Sequence, residues 1–364
     1  MIPGPVSIAD DVLAALGEPV IAHYGSEWTD LYVRVTSGLR RILRTAGQVH
    51  LLFGPGSAAI EMCIASVVSP GEGILIPANG FFGDRMIEIA RAHGLQVVTV
   101  PTARREAVSV EAVRRALDGR PELRAVAMVH HETSLGVVNP VREVAALARD
   151  RGALMIVDAV SSAGGIDLDV DGWGIDLCAT VANKCLGGPI GVAPVVAGER
   201  AIDALKEGRP RSAGWYLDLA TWSRYSEDWK TWHPHPTTMP TSVVVALDVA
   251  VQQFLDEGLE ARLLKQLGAR DRVRQGLSAA GFEMLVPDEV ASPVTTAALG
   301  PAGMDVTRYM AWLLERGIRI AGGMGEFAGK AIRVGHMGRA MQSDAIERFL
   351  ELTASYVGVA TVPR

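Results

Sequence analysis

The chain has 364 residues, 49% hydrophobic and 21% charged, with a formal net charge of −6. That length exceeds one small core and predicts two domains, or one large domain with an appendage. The slightly acidic balance, without a long basic run, excludes nucleic-acid and membrane-surface partners as the first expectation and leaves small molecules.

The amino terminus, Met1-Ile2-Pro3-Gly4-Pro5, lacks the basic-then-apolar order of a signal peptide. From about residue 48 to 200, short β-rich runs alternate with helical patterns. The runs are Val49 to Phe53, Gly73 to Pro77, Leu95 to Val100, Arg124 to His130, Leu154 to Asp158, Leu177 to Val181 and Val192 to Val196. Most are apolar on both faces, which predicts a buried, mostly parallel seven-stranded sheet covered by helices: an α/β fold. Residues 201–240, rich in Trp, Tyr, Pro and His without a clear period, read as an irregular surface segment. A long helical stretch from Thr241 to Ala279 follows. Strand-like Phe282 to Val286 and Thr295 to Leu299, a helix from Asp305 to Arg316 and a last helix from Ser343 to Tyr356 predict a smaller α+β domain. The expected division is a large domain over 15–250 and a small one over 251–364, with segment 1–14 packing near the site. No apolar stretch reaches membrane-spanning length, since Ser242 to Leu247 runs into Asp248. Cys63, Cys178 and Cys185 show no paired spacing and read as reduced thiols of a cytoplasmic protein. No metal site is expected.

In open α/β sheets ligands sit beyond the carboxyl ends of the strands, so the residues after each run are where chemistry is sought. The first run is followed by Gly54-Pro55-Gly56-Ser57-Ala58-Ala59, a turn whose amides can bind a phosphate; any tight strand-to-helix turn also uses glycine. After the second comes Ala78-Asn79-Gly80-Phe81-Phe82-Gly83-Asp84-Arg85, where an aromatic face can meet a flat ring or simply pack in the core. His130-His131-Glu132-Thr133-Ser134 is a polar cluster that either serves a ligand or caps the next turn. Asp158 ends an apolar run, where a carboxylate needs a donor partner or serves as a turn cap. Lys184 lies in a small-residue loop, Ala182 to Pro189, where burial would lower its pKa and make the amine nucleophilic. Lys184 and Asp158 are the pair a pyridoxal phosphate enzyme needs, one for the Schiff base and one for the ring nitrogen. Near the far end Arg333 sits within an apolar strand, suited to a carboxylate or to an internal ion pair with Glu326.

Taken together these segments resemble a class V aminotransferase of pyridoxal phosphate fold type I, in the branch of alanine/serine–glyoxylate and pyridoxamine–pyruvate aminotransferases. The likeness runs through nearly the whole chain. It is most specific in His131 to Pro140, Val157 to Ser162 and Asn183 to Gly187. It implies pyridoxal 5′-phosphate as cofactor, Lys184 as the Schiff-base lysine and Asp158 on the pyridine nitrogen. Phe82 is implied on the ring face, Thr133 near the ring oxygen, and Gly56, Ser57 and Ala58 at the phosphate. Substrate contacts are implied for Arg333, Gly4 and Tyr24. Relatives are homodimers with the site at the subunit interface, and Thr238 matches the position that completes the partner's phosphate cup.

The expected reaction moves an amino group between a small alanine- or serine-like amino acid and pyruvate or glyoxylate. Three rivals remain. Transamination of free pyridoxamine with pyruvate is disfavoured because Met324 stands where that enzyme has a second arginine, and because Pro55-Gly56-Ser57 lacks its acidic residue. A phosphonate-directed transaminase would need further cations. A cysteine desulfurase needs a thiolate on a mobile loop, which none of the three cysteines offers. A catalytically silent relative would not need Lys184, Asp158 and Arg333 together, and the first glycine turn matches neither common nucleotide fingerprint.

Overall fold

The computed structural model describes residues 1–360; the last four residues of the expected small domain, 361–364, lie outside it. The helices are α1 Asp10–Ala15, α2 Ser26–Leu43, α3 Gly56–Val67, α4 Phe81–Ala92, α5 Val110–Asp118, α6 Val141–Asp150, α7 Glu199–Lys206, α8 Leu219–Asp228, α9 Thr241–Glu257, α10 Leu259–Ala279, α11 Val306–Glu315 and α12 Ser343–Ala360. The strands are β1 Gln48–Phe53, β2 Gly73–Leu75, β3 Gln96–Val98, β4 Leu123–Val129, β5 His131–Glu132, β6 Val137–Val138, β7 Leu154–Asp158, β8 Leu177–Ala179, β9 Val192–Ala197, β10 Glu283–Met284, β11 Thr295–Leu299, β12 Ala321–Gly322 and β13 Ala331–Gly335.

Seven strands form one sheet in the order β1-β9-β8-β7-β4-β2-β3, and only β9 runs against its neighbours. All seven coincide with the apolar runs read from the sequence. Strands such as β7 and β9 are buried along their whole length, because helices cover both faces of the sheet. The parallel arrangement brings the turns after β1, β2, β4, β7 and β8 to one edge, where the site lies. A second, antiparallel sheet, β10-β11-β13-β12, packs Ile332 and Val334 against Val273, Leu277, Tyr309 and Phe349. Strand alternation therefore turns Arg333 to the opposite face, toward Thr133.

Two expectations need correction. Residues 201–240 are not simply irregular surface: α7 ends within them, and α8 is capped by Asp218, whose carboxylate accepts the Ala220 and Thr221 amides, each at 3.3 Å. The buried face of α8 carries Trp222, fully inaccessible, with its indole N–H donating to the Tyr216 carbonyl at 2.7 Å. The stretch from Thr241 to Ala279 is two helices, broken at Gly258, whose φ of +83° ends α9. Two further helices, α1 and α2, occupy the amino-terminal region. Residues 1–7 run beside the loop bearing Lys184: the Val6 amide donates to the Asn183 carbonyl and the Gly335 amide to the Met1 carbonyl. Among the described residues no helix is long and apolar enough to cross a membrane.

Candidate active site

A cavity of about 480 Å³ lies at the carboxyl edge of the large sheet. Its lining includes Gly56, Ser57, Phe82, Arg85, Asp158 and Lys184. Three larger grooves, about 890, 800 and 530 Å³, lie elsewhere and contain neither Asp158 nor Lys184. In the first, Arg274 and Arg105 are already paired with Asp288 and Glu283. The smaller cavity is therefore where unpaired chemistry converges.

Asp158 is 5% exposed. One carboxylate oxygen accepts the Val160 amide at 2.9 Å, and no cationic side chain pairs with the group among the described residues. Burial pushes its carboxyl up to about 6, with the buried Glu132 adding to the rise against the pull of the Val160 amide, Lys184 and Arg85. Such a carboxylate fits a protonated ring nitrogen, the cation it lacks. Lys184 donates to the Pro3 carbonyl at 2.6 Å. Burial lowers its pKa, Arg333 adds to the drop, and Asp158 opposes it.

At the other end of the cavity α3 begins without a side-chain cap. Its first amides, at Gly56 and Ser57, have no acceptor within the helix and can hold an anion. Position 56 tolerates no side chain, since a β-carbon there would come within 2.7 Å of Val160 Cγ2. The cavity thus offers an amide cradle, an aromatic wall, an acid and an amine, which fits pyridoxal phosphate part by part.

The remaining expected residues lie at varying distance from this group. Ala58 is in the first turn of α3 but does not line the cavity, and Gly4 lies directly against Lys184. Arg333 is partly buried. Its Nε donates to the Gly322 carbonyl at 2.8 Å and one terminal nitrogen to the Thr133 carbonyl at 3.4 Å. It makes no ion pair among the described residues, so the internal bridge to Glu326 is not formed. Thr133 is not on the cavity wall: its hydroxyl lies 2.6 Å from that of Ser161. Tyr24 is 52% exposed beside Trp232, and Thr238 is exposed and away from this chain's own cavity.

Sequence reasoning named Arg85 and Glu132 only within longer segments and gave neither an individual role. Arg85 lines the cavity with its guanidinium 5.0 and 5.2 Å from the Phe81 and Phe82 ring centres. Its position one turn after Phe82 on α4 was the available signal. Glu132 is fully buried and ties its hairpin to the start of α4. Three imidazoles, His23, His233 and His235, meet beside Trp28. His235 accepts the Trp28 indole N–H at 2.7 Å and faces the Thr237 carbonyl at 2.7 Å, so both ring nitrogens are engaged in fixing the segment that carries Thr238. All three cysteines are free and buried, and burial raises each thiol pKa, which removes the exposed thiolate a desulfurase needs.

The aminotransferase class-V family model matches residues 13–349. An uncharacterized aminotransferase of Methanocaldococcus jannaschii is 34% identical over 93% of this chain and 87% of its own length. The pyridoxamine–pyruvate transaminase of Mesorhizobium japonicum is 32% identical over 93% of this chain and 86% of its own. Among solved structures, the alanine–glyoxylate aminotransferase from Nostoc sp. superposes with a TM-score of 0.93 at 31% identity, covering 98% of this chain and 94% of that one.

Proposed function

The chain belongs to the class V aminotransferases, pyridoxal phosphate enzymes of fold type I, and from that premise we propose that it moves an amino group between a small alanine- or serine-like amino acid and pyruvate or glyoxylate. The observation that carries this reading is the convergence of Lys184, Asp158, Phe82 and the Gly56-Ser57 turn on one cavity. When bound, pyridoxal phosphate supplies an electron sink for the substrate's α-carbon.

Lys184 would hold the cofactor through its amine, Asp158 its ring nitrogen, Phe82 one ring face, and the free amides of Gly56 and Ser57 at the start of α3 its phosphate, with the Ala58 amide already donating to the Pro55 carbonyl. Arg85 adds positive field to the same cavity. A lysine of lowered basicity keeps a larger neutral fraction at neutral pH, so the amine would attach covalently, be released when the substrate's amino group takes its place, and then accept a proton from the substrate α-carbon. Asp158, its carboxyl raised to about 6 and so mostly ionised at neutral pH, would keep a proton on the ring nitrogen. Arg333 offers its remaining guanidinium N–H groups to the substrate carboxylate in a planar fork. Thr133 stands off the cavity wall with its hydroxyl 2.6 Å from that of Ser161, so its reach to the ring oxygen would run beside or through that serine.

A homodimer is part of the same proposal. Phe53 and Ile190 line the cavity while 49% and 65% exposed, an apolar rim that a second copy would cover. The partner subunit's Thr238 would then complete the phosphate cup. The place of action is the cytosol, in keeping with three buried free thiols.

The absorbance of the purified protein before and after L-alanine tests the proposal. A visible cofactor band that bleaches with release of pyruvate is expected, and Lys184→Ala should abolish it. A colourless protein that gains colour with free pyridoxal would instead support the pyridoxamine–pyruvate reaction, against which Met324 and the turn at Pro55 to Ser57 speak.

A further inference from the structure

We infer that Glu132 is a positioning residue for amino transfer, tying the aromatic wall at Phe82 to the hairpin against which Arg333 is seated; this rests on the function proposed above. Helix α4 begins at Gly80 without a side-chain cap. The amides of its first turn find their acceptors on the β5–β6 hairpin, about fifty residues on. Phe82 and Gly83 each donate to one Glu132 carboxylate oxygen at 3.1 Å. The Phe81 amide donates to the Ser134 hydroxyl at 3.2 Å, and that hydroxyl donates to the other Glu132 oxygen at 2.5 Å. The Ser134 amide adds a fourth donor to Glu132 at 3.1 Å. All four neighbours donate at the positive end of a helix, which favours the ionised carboxylate against the burial that raises its pKa.

A serine or aspartate at position 80 would cap the helix locally and spare the cost of burying a charge. Instead position 80 is glycine, and a β-carbon there would lie 2.3 Å from Glu132 Cγ. The arrangement makes mechanical sense if the start of α4 must be registered against the hairpin. Phe82, in that first turn, faces the cavity. On the other side of the hairpin the Thr133 carbonyl accepts from Arg333. The Glu132 charge offsets part of the cost of burying Arg333 yet forms no ion pair with it, which leaves the guanidinium fork open to a substrate carboxylate.

Two variants test this, read by the visible circular dichroism of the bound cofactor, by acetate binding as a carboxylate probe, and by melting temperature. Glu132→Gln presents an amide N–H₂ to groups that are themselves donors. It should lower the dichroism per bound cofactor by about half or more as the ring loses its fixed wall. It should also tighten acetate binding about threefold, because a negative charge near Arg333 is gone. Ser134→Ala keeps the charge and should lower the dichroism less, with acetate affinity unchanged. If Glu132→Gln does not fold, the Ser134→Ala pattern decides. Dichroism unaltered in the folded variants overturns the inference, as does a fall that merely follows melting temperature while acetate binding in Glu132→Gln stays at the wild-type value. A wild-type protein that binds cofactor but transfers no amino group would defeat the proposed function, and the dichroism comparison would still stand as a test of Glu132.

Discussion

Gly4 lies so close to Lys184 that a β-carbon at position 4 would stand 2.6 Å from the lysine Cε and 3.0 Å from its Nζ. Its φ of +119° independently disfavours any L side chain. Gly4→Ala must therefore move either the amino-terminal segment or the lysine. We expect a loss of about tenfold or more in the rate of amino transfer from L-alanine, since small displacements of a reacting group are costly. The melting temperature should fall only modestly, because the strain at a positive φ falls on a segment outside the main cores. Stopped-flow absorbance beside a thermal melt checks both. An unaltered rate would mean that the segment leaves the lysine free during turnover.

Asp158 gives the site a pH signature. Its carboxyl, raised to about 6, binds its proton more firmly in the folded chain than in the unfolded one. For the cofactor-free protein the linked stability is fully present below the ordinary carboxylate value near 4 and is lost as pH rises through about 6. Cofactor affinity should run the other way, because only the ionised carboxylate holds a protonated ring nitrogen. Affinity for pyridoxal phosphate should thus fall as pH drops below about 6, and Asp158→Asn should flatten that dependence while lowering kcat about 10²-fold or more. Fluorescence titration between pH 5 and 8 measures it. A level wild-type profile would contradict the assignment.

The large sheet is legible in the sequence because a strand buried on both faces must be apolar throughout, and charged groups following such strands, Asp158 and Lys184, stand out by contrast. The bond between Glu132 and the Phe82 amide is not legible, since fifty positions separate them and only the path of the chain brings them together. The aromatic density of residues 201–240 hides α8 for a different reason: Trp222 is core, whereas Trp215 and Trp232 are about half exposed, and the three look alike in a sequence. Thr133 is a polar residue at a strand end whose hydroxyl is claimed by Ser161, a tertiary contact that residue type cannot reveal.

Arg333 is held on its Nε side by the Gly322 carbonyl and meets no carboxylate among the described residues. Arg333→Lys keeps the charge but loses the planar fork. We expect it to raise KM for the amino acid about tenfold or more while changing kcat less, in line with the loss of a charge-assisted hydrogen bond. Arg333→Gln should raise KM further. Steady-state kinetics with L-alanine over a wide concentration range separates the two parameters, and an equal fall in kcat with KM unmoved would assign the arginine another task.

Thr238 is exposed in its own chain and held in place through Thr237 and His235, where the proposed second copy would use it. Thr238→Ala should weaken pyridoxal phosphate binding about tenfold, the scale of one hydrogen bond to a charged phosphate. The decisive form of the test mixes subunits. A Lys184→Ala chain retains Thr238, and a Thr238→Ala chain retains Lys184, so a heterodimer of the two contains one complete site and one lacking both the lysine and the threonine. At cofactor concentrations where the Thr238→Ala homodimer is mostly empty, mixing should restore activity that neither homodimer has. If instead Thr238 served its own chain's cavity, every site in the mixture would carry one defect, and activity would never exceed the average of the two parents.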